Sequence, residues 1–143
     1  MDVSQQVQRV MERIRQAALA AGREPGEITL CAATKVQTDE TIRAAIAAGV
    51  RVCGENRVQE MTAKLAQNAY DGAPLHFIGH LQRNKVRQVV GKTALIQSIG
   101  SEALLREVEK EAARQHLVQD ILLEVNIGGE EAKSGFAPEE TEA

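Results

Sequence analysis

The stretch Thr29–Glu40, "TLCAATKVQTDE", decides how the rest of the chain is read. Together with Ile28 its first half forms a short continuous apolar run, "ITLCAAT", the mark of a strand covered on both faces. Its second half opens a helix, with Thr38 as the capping hydroxyl. Between the two stands Lys35, a side chain that resists burial, at the lip of the strand.

Outward from this unit the pattern repeats. Upstream, Val7, Val10, Met11, Ile14, Ala18 and Ala21 fall on one helical stripe, with Ser4 as cap and Gly22 as stop, so residues 1–22 read as a leading helix. Downstream, Ile42, Ala45 and Ile46 form the inner face of a helix that ends at Gly49, and "VRVC" is a second strand. Val58, Met61 and Leu65 mark the next helix, "LHFI" a third strand, and Val86, Val89 and Val90 a helix closed by Gly91. "ALIQSI" is a fourth strand, Leu104, Leu105, Val108 and Ala112 line a long helix, and "DILLEVNI" is a fifth strand. Residues 28–127 thus hold five βα repeats, and residues 128–143 a loop and the start of a further helix at Pro138.

Such alternation predicts an α/β fold with a parallel sheet and right-handed crossovers. Two architectures compete, an open doubly wound sheet and a (β/α)8 barrel. The loop "TKVQTDE" has no glycine, so a dinucleotide fingerprint is missing from the place where a doubly wound fold would carry it. A complete barrel takes about 250 residues, so the expectation is a single truncated barrel domain over residues 1–143, with about five strands and two open edges.

Composition excludes several functions. The net charge of -3 argues against wrapping duplex nucleic acid, and an aromatic content of 2%, with Tyr70 the single tyrosine, argues against stacking on unpaired bases. Cys31 and Cys53 lie in predicted strands without metal-ligand spacing, so they read as small core residues and no metal site is expected. The polar start and the lack of a membrane-length apolar run predict a cytoplasmic protein without membrane contact. Neither a phosphate-binding P-loop nor a nucleophile elbow is present.

In parallel α/β folds the residues just past the strands share one rim, where ligands bind. Here they are Thr34 and Lys35, then Glu55, Asn56 and Arg57, then Gly79 and His80, then Ser98, then Asn126. A lysine ringed by low-dielectric strand ends has its charged form disfavoured, and a neutral amine suits a Schiff base with an aldehyde. Equally, Lys35 can snorkel into water or pair with Glu55 on the next strand. Asn56 can bond a ligand or cap the following helix, and His80 can shuttle a proton or serve structure alone. Arg83, Lys85, Arg87 and Lys92 read as a solvated face, and Lys133 as an exposed loop residue.

The segments "ITLCAATK", "GENRVQE", "HFIGHLQRNKVR", "IQSIGS" and "LEVNIGGEEAKSGF" resemble, in order and spacing along essentially the whole chain, the pyridoxal phosphate homeostasis proteins of the YggS/PROSC group. The resemblance implies a fold type III, alanine-racemase-like barrel. It implies that Lys35 carries pyridoxal 5'-phosphate as a Schiff base, with Asn56 beside the ring and Thr34, His80, Ser98 and Asn126 as further binding candidates. Such proteins hold and deliver the cofactor, with cofactor-dependent apo-enzymes as partners and no catalytic residues. Cys53 stands where the family usually has an aromatic residue. Much of the family's phosphate grip comes from later segments, so weakened binding or self-association through open barrel edges is expected. The competing reading is a fold type III racemase or decarboxylase. Racemisation wants a second acid/base opposite the lysine, and Tyr70 is expected away from the rim.

Overall fold

The computed structural model describes residues 2–142. Helix α1 (Val3–Ala20) leads, capped by Asp2 in a reciprocal capping box with Gln5. The cap is therefore Asp2 and not Ser4, which lies inside the first turn. Five strands follow: β1 (Cys31–Ala33), β2 (Val52–Glu55), β3 (Leu75–Phe77), β4 (Leu95–Ile99) and β5 (Ile121–Leu123). Between them run α2 (Asp39–Ala47), α3 (Val58–Ala66), a 3-10 helix (Arg83–Gln88) and α4 (Glu102–Arg114). The helix expected around Val86 is thus a 3-10 helix, although Val86, Val89 and Val90 are buried as its pattern requires.

All four strand pairings are parallel and the sheet order is β1-β2-β3-β4-β5. A doubly wound sheet reverses direction at a switch point, and this one never does. With crossovers of one hand, unbroken sequential order sends the connecting helices to one face, so the sheet is an arc of a (β/α) barrel. The core lies between that face and the helices and is built mainly of aliphatic and small side chains, with Phe77 and Tyr70 as its aromatic members. Thr38 caps α2 by accepting from the Thr41 amide, and Ile42 behind it is 1% exposed. Burying one such side chain contributes roughly 1.5–3 kcal/mol.

The opposite, concave face of the sheet is open. β1 was expected to be covered on both sides, but Cys31 and Ala32 are half-buried and Ala33 is exposed. A Cβ added at Gly54 would meet Ile78 Cδ1 at 2.8 Å and Cys31 Sγ at 3.0 Å, which puts these three neighbours on the concave side. Next to them Gln97 Nε2 and His76 Nδ1 lie 2.8 Å apart. The fifth strand is shorter than "DILLEVNI", and beyond it Val125 makes an isolated parallel bridge with Phe136. Pro138–Glu140 forms a 3-10 turn where a helix start was expected.

Candidate functional site

β2 begins and ends two residues later than "VRVC", and this shift reorganises the rim. Glu55 is the last residue of the strand and not part of the loop. Strand alternation turns it to the helix side with Cys53, where it is completely buried. There Glu55 Oε2 accepts from Thr34 Oγ1 at 2.9 Å, Lys64 Nζ at 2.8 Å and Tyr70 Oη at 2.8 Å. Lys64 Nζ donates further to Glu60 Oε1 at 2.7 Å and to the Thr34 carbonyl at 2.6 Å. Glu60 Oε1 in turn accepts from the Val36 amide at 2.5 Å.

Burial alone would push the Lys64 ammonium down, but the hydrogen bonds it donates to the Glu55 and Glu60 carboxylates outweigh burial and hold it above its ordinary value. The same bond to Lys64 lowers Glu60. Burial, then the hydrogen bond to Glu55, pushes the Tyr70 hydroxyl far above the usual phenol range. Burial likewise raises the Cys53 thiol to about 11, consistent with an inert core residue.

The Lys35 side chain is not part of this network. Thr34 N–H donates to the Gly54 carbonyl at 2.9 Å, so the β1–β2 ladder runs past Ala33. The register pairs Ala33 with Gly54, so Lys35 falls in the turn that follows β1 and Asn56 directly follows the paired strand β2. Lys35 is exposed there. The low-dielectric lysine anticipated from the strand-end position is therefore corrected: the sheet's helix side does contain a buried lysine, but it is Lys64. Pairing of Lys35 with Glu55 is also excluded, because Glu55 faces the opposite layer.

Asn56 does not cap the following helix, whose N-cap is Arg57 without a side-chain bond. Its Oδ1 is buried without a hydrogen-bond partner, a state that a bound polar ligand would relieve. Its position is constrained by the segment after β3, since a Cβ on Gly79 would collide with the Asn56 carbonyl oxygen. His80 and Ser98 line one cavity of about 400 Å³ with Gly100, Glu124 and Ser134, and Ser98 Oγ is buried and unpartnered. The structure thus brings His80 and Ser98 together in one cavity and leaves Lys35 and Asn56 just past the ends of the paired strands β1 and β2.

Thr34 and Asn126 are committed elsewhere. The Thr34 hydroxyl belongs to the buried Glu55 network. The Asn126 amide donates to the carbonyls of Glu130 at 2.8 Å and Lys133 at 3.5 Å, which folds its own loop. Lys64 and Glu60 were missed by the sequence reading, and one signal for them was present. Lys64 sits three residues after Met61 on the apolar stripe of α3, with Glu60 one turn before it.

The model of the alanine racemase N-terminal domain matches residues 5–143. The chain belongs to that family. Within it, the chain is 42% identical over 139 residues to the pyridoxal phosphate homeostasis protein of Aquifex aeolicus, covering 97% of this chain and 61% of that one. It is 35% identical to the protein of the same name from Pseudomonas aeruginosa, covering 99% of this chain and 61% of the relative. This domain therefore spans about three fifths of the length of these relatives. Among solved structures it is similar to a protein of Bifidobacterium adolescentis, with a TM-score of 0.87 and 40% identity over 96% of this chain and 60% of that one. It is also similar to PipY of Synechococcus elongatus, whose structure has PLP bound, with a TM-score of 0.73 and 32% identity over 88% of this chain and 58% of PipY. These relatives of the alanine racemase N-terminal domain agree with the resemblance read from the motifs.

Proposed function

We propose that this chain binds pyridoxal 5'-phosphate covalently through Lys35 and serves as a carrier in vitamin B6 homeostasis without catalysis of its own. The observation that carries the reading is exposed Lys35 just past β1, with Asn56, whose buried oxygen lacks a partner, just past the paired strand β2. When bound, the cofactor supplies an aldehyde that condenses with a primary amine and releases water. Lys35 offers the amine, and Asn56 offers an acceptor past the paired strand. His80 and Ser98 are proposed as outlying polar contacts from the adjoining cavity. Thr34 contributes by holding the lysine's backbone, and Asn126 by shaping the loop after β5.

The names of the relatives and the ligand of PipY support this reading. It is further supported against racemisation by Tyr70, the chain's single tyrosine, which is tied to Glu55 on the helix side and so is no second acid/base opposite Lys35. Cofactor-dependent apo-enzymes as recipients, a cytoplasmic location and self-association through the outer edges of β1 and β5 belong to the same proposal. Among the described residues no helix is long and apolar enough to cross a membrane. The decisive experiment adds pyridoxal 5'-phosphate, reduces with borohydride and maps the modified lysine by mass spectrometry. Label concentrated on Lys35 is the expected result; label scattered over Lys85, Lys92 and Lys133 overturns it.

A further inference from the structure

The backbone on both sides of Lys35 is gripped from the buried layer. The carbonyl of Thr34 belongs to the peptide group preceding Lys35, and it accepts from Lys64 Nζ at 2.6 Å. The amide of Val36 belongs to the peptide group following Lys35, and it donates to Glu60 Oε1 at 2.5 Å. Lys64 and Glu60 are themselves bonded at 2.7 Å. One ion pair, anchored to buried Glu55, therefore closes a bracket around a single residue.

The bracketed turn is also strained. Gln37 N–H donates to the Thr34 carbonyl at 3.2 Å, so Lys35 and Val36 are the two central residues of a tight turn. Val36 has φ 55°, in the left-handed region that a β-branched residue rarely adopts. Its side chain is 82% exposed, so no packing holds it there. Strained backbone of this kind persists where surrounding structure over-determines it, and it collects at functional positions. The surrounding structure here is the Glu60–Lys64 bracket.

We infer that Glu60, Lys64 and Glu55 form a positioning clamp, which fixes the direction in which Lys35 projects. The inference rests on the reading of Lys35 as the attachment point. None of the three touches the ligand side: they act through the two peptide groups flanking Lys35. A flexible lysine at a strand end samples many directions, and holding a reacting group in one of them is worth large factors in rate. The clamp would therefore make Lys35 react with pyridoxal 5'-phosphate ahead of equally exposed lysines.

The test uses the full chain and two variants at Glu60, whose part-exposed side chain can be changed while Lys64 keeps Glu55 and Thr34. Glu60→Ala removes the acceptor of the Val36 amide, whereas Glu60→Gln retains an oxygen at the same reach. Backbone order parameters of Lys35 and Val36 are measured by NMR without cofactor, and capture of pyridoxal 5'-phosphate at Lys35 is compared with capture at exposed Lys92. In the parent the order parameters should be about 0.85, falling below about 0.6 in Glu60→Ala. Capture at Lys35 should slow about tenfold relative to Lys92, with Glu60→Gln recovering most of both losses. A Glu60→Ala protein with a lower thermal midpoint but parental order at Lys35 and Val36 and parental selectivity over Lys92 would overturn the clamp. If the parent takes no cofactor at Lys35, the attachment reading fails on its own, and the order parameters alone judge the clamp.

Discussion

Lys35 sits in the turn that Lys64 grips from the buried layer, and the surroundings of the two lysines share almost nothing. Lys64 is 7% exposed and donates to three oxygens, two of them carboxylate. Lys35 is exposed in the turn past β1, and the strand paired with β1 is followed by an asparagine with an unpartnered oxygen. An ammonium leaves water at tolerable cost only when every proton finds an acceptor, and Lys64 meets that condition. The difference is one of solvation: a lysine saturated with acceptors can stay charged in the core, and one in solvent needs no protein acceptor.

The largest break in this contrast should come from Lys64→Met. It strands Glu55 in the core without its cation, and loss of one partner of a buried pair costs about 3–5 kcal/mol. Denaturant titration measures this, and the double variant Glu55→Gln with Lys64→Met should recover much of it. Tyr70→Phe deletes a hydroxyl that donates to Glu55 and should cost roughly 1.5–3 kcal/mol by the same titration.

Acidity sharpens the contrast at intermediate size. Glu60 is depressed in the folded chain, so its contribution is complete above the ordinary carboxyl value of 4.5 and is lost as pH falls through the folded value below it. Lys64 is raised, so its contribution is complete below 10.5 and is lost only as pH climbs through the higher folded value. The thermal midpoint of Lys64→Met should therefore approach that of the parent at both extremes and differ most between them.

Val36→Gly relieves a left-handed φ at an exposed side chain and should raise stability by up to about 1 kcal/mol, despite the entropy that glycine adds to the unfolded chain. Loss of stability there would mean that the turn is not strained. The smallest effect on folding belongs to Lys35→Ala, within about 0.5 kcal/mol because the side chain is exposed. That variant should nevertheless lose covalent capture of pyridoxal 5'-phosphate altogether, seen by mass spectrometry after reduction.

Much of the scaffold was legible from periodicity. Ile42, Val58, Met61 and Val108 fall on buried helix faces, and the apolar runs mark the five strands in order. The site was legible only in part, because it depends on which face each rim residue meets. Side chains alternate along a strand, so the two-residue shift of β2 decides whether Glu55 is counted with the loop or with the strand. Its burial then follows from partners 9 and 15 residues away, Lys64 and Tyr70, whose approach no local pattern announces. Lys35 was expected among low-dielectric strand ends, and its exposure follows from its place in the turn past β1.

The contact between Gly79 and Asn56 leaves the rim uneven in what it can accept. His80 next door is exposed and could change in size with little disturbance. One methyl group at 79 would press on the backbone of 56 and displace the asparagine. Sequence drift in this family should therefore be far freer at the histidine than at the glycine before it.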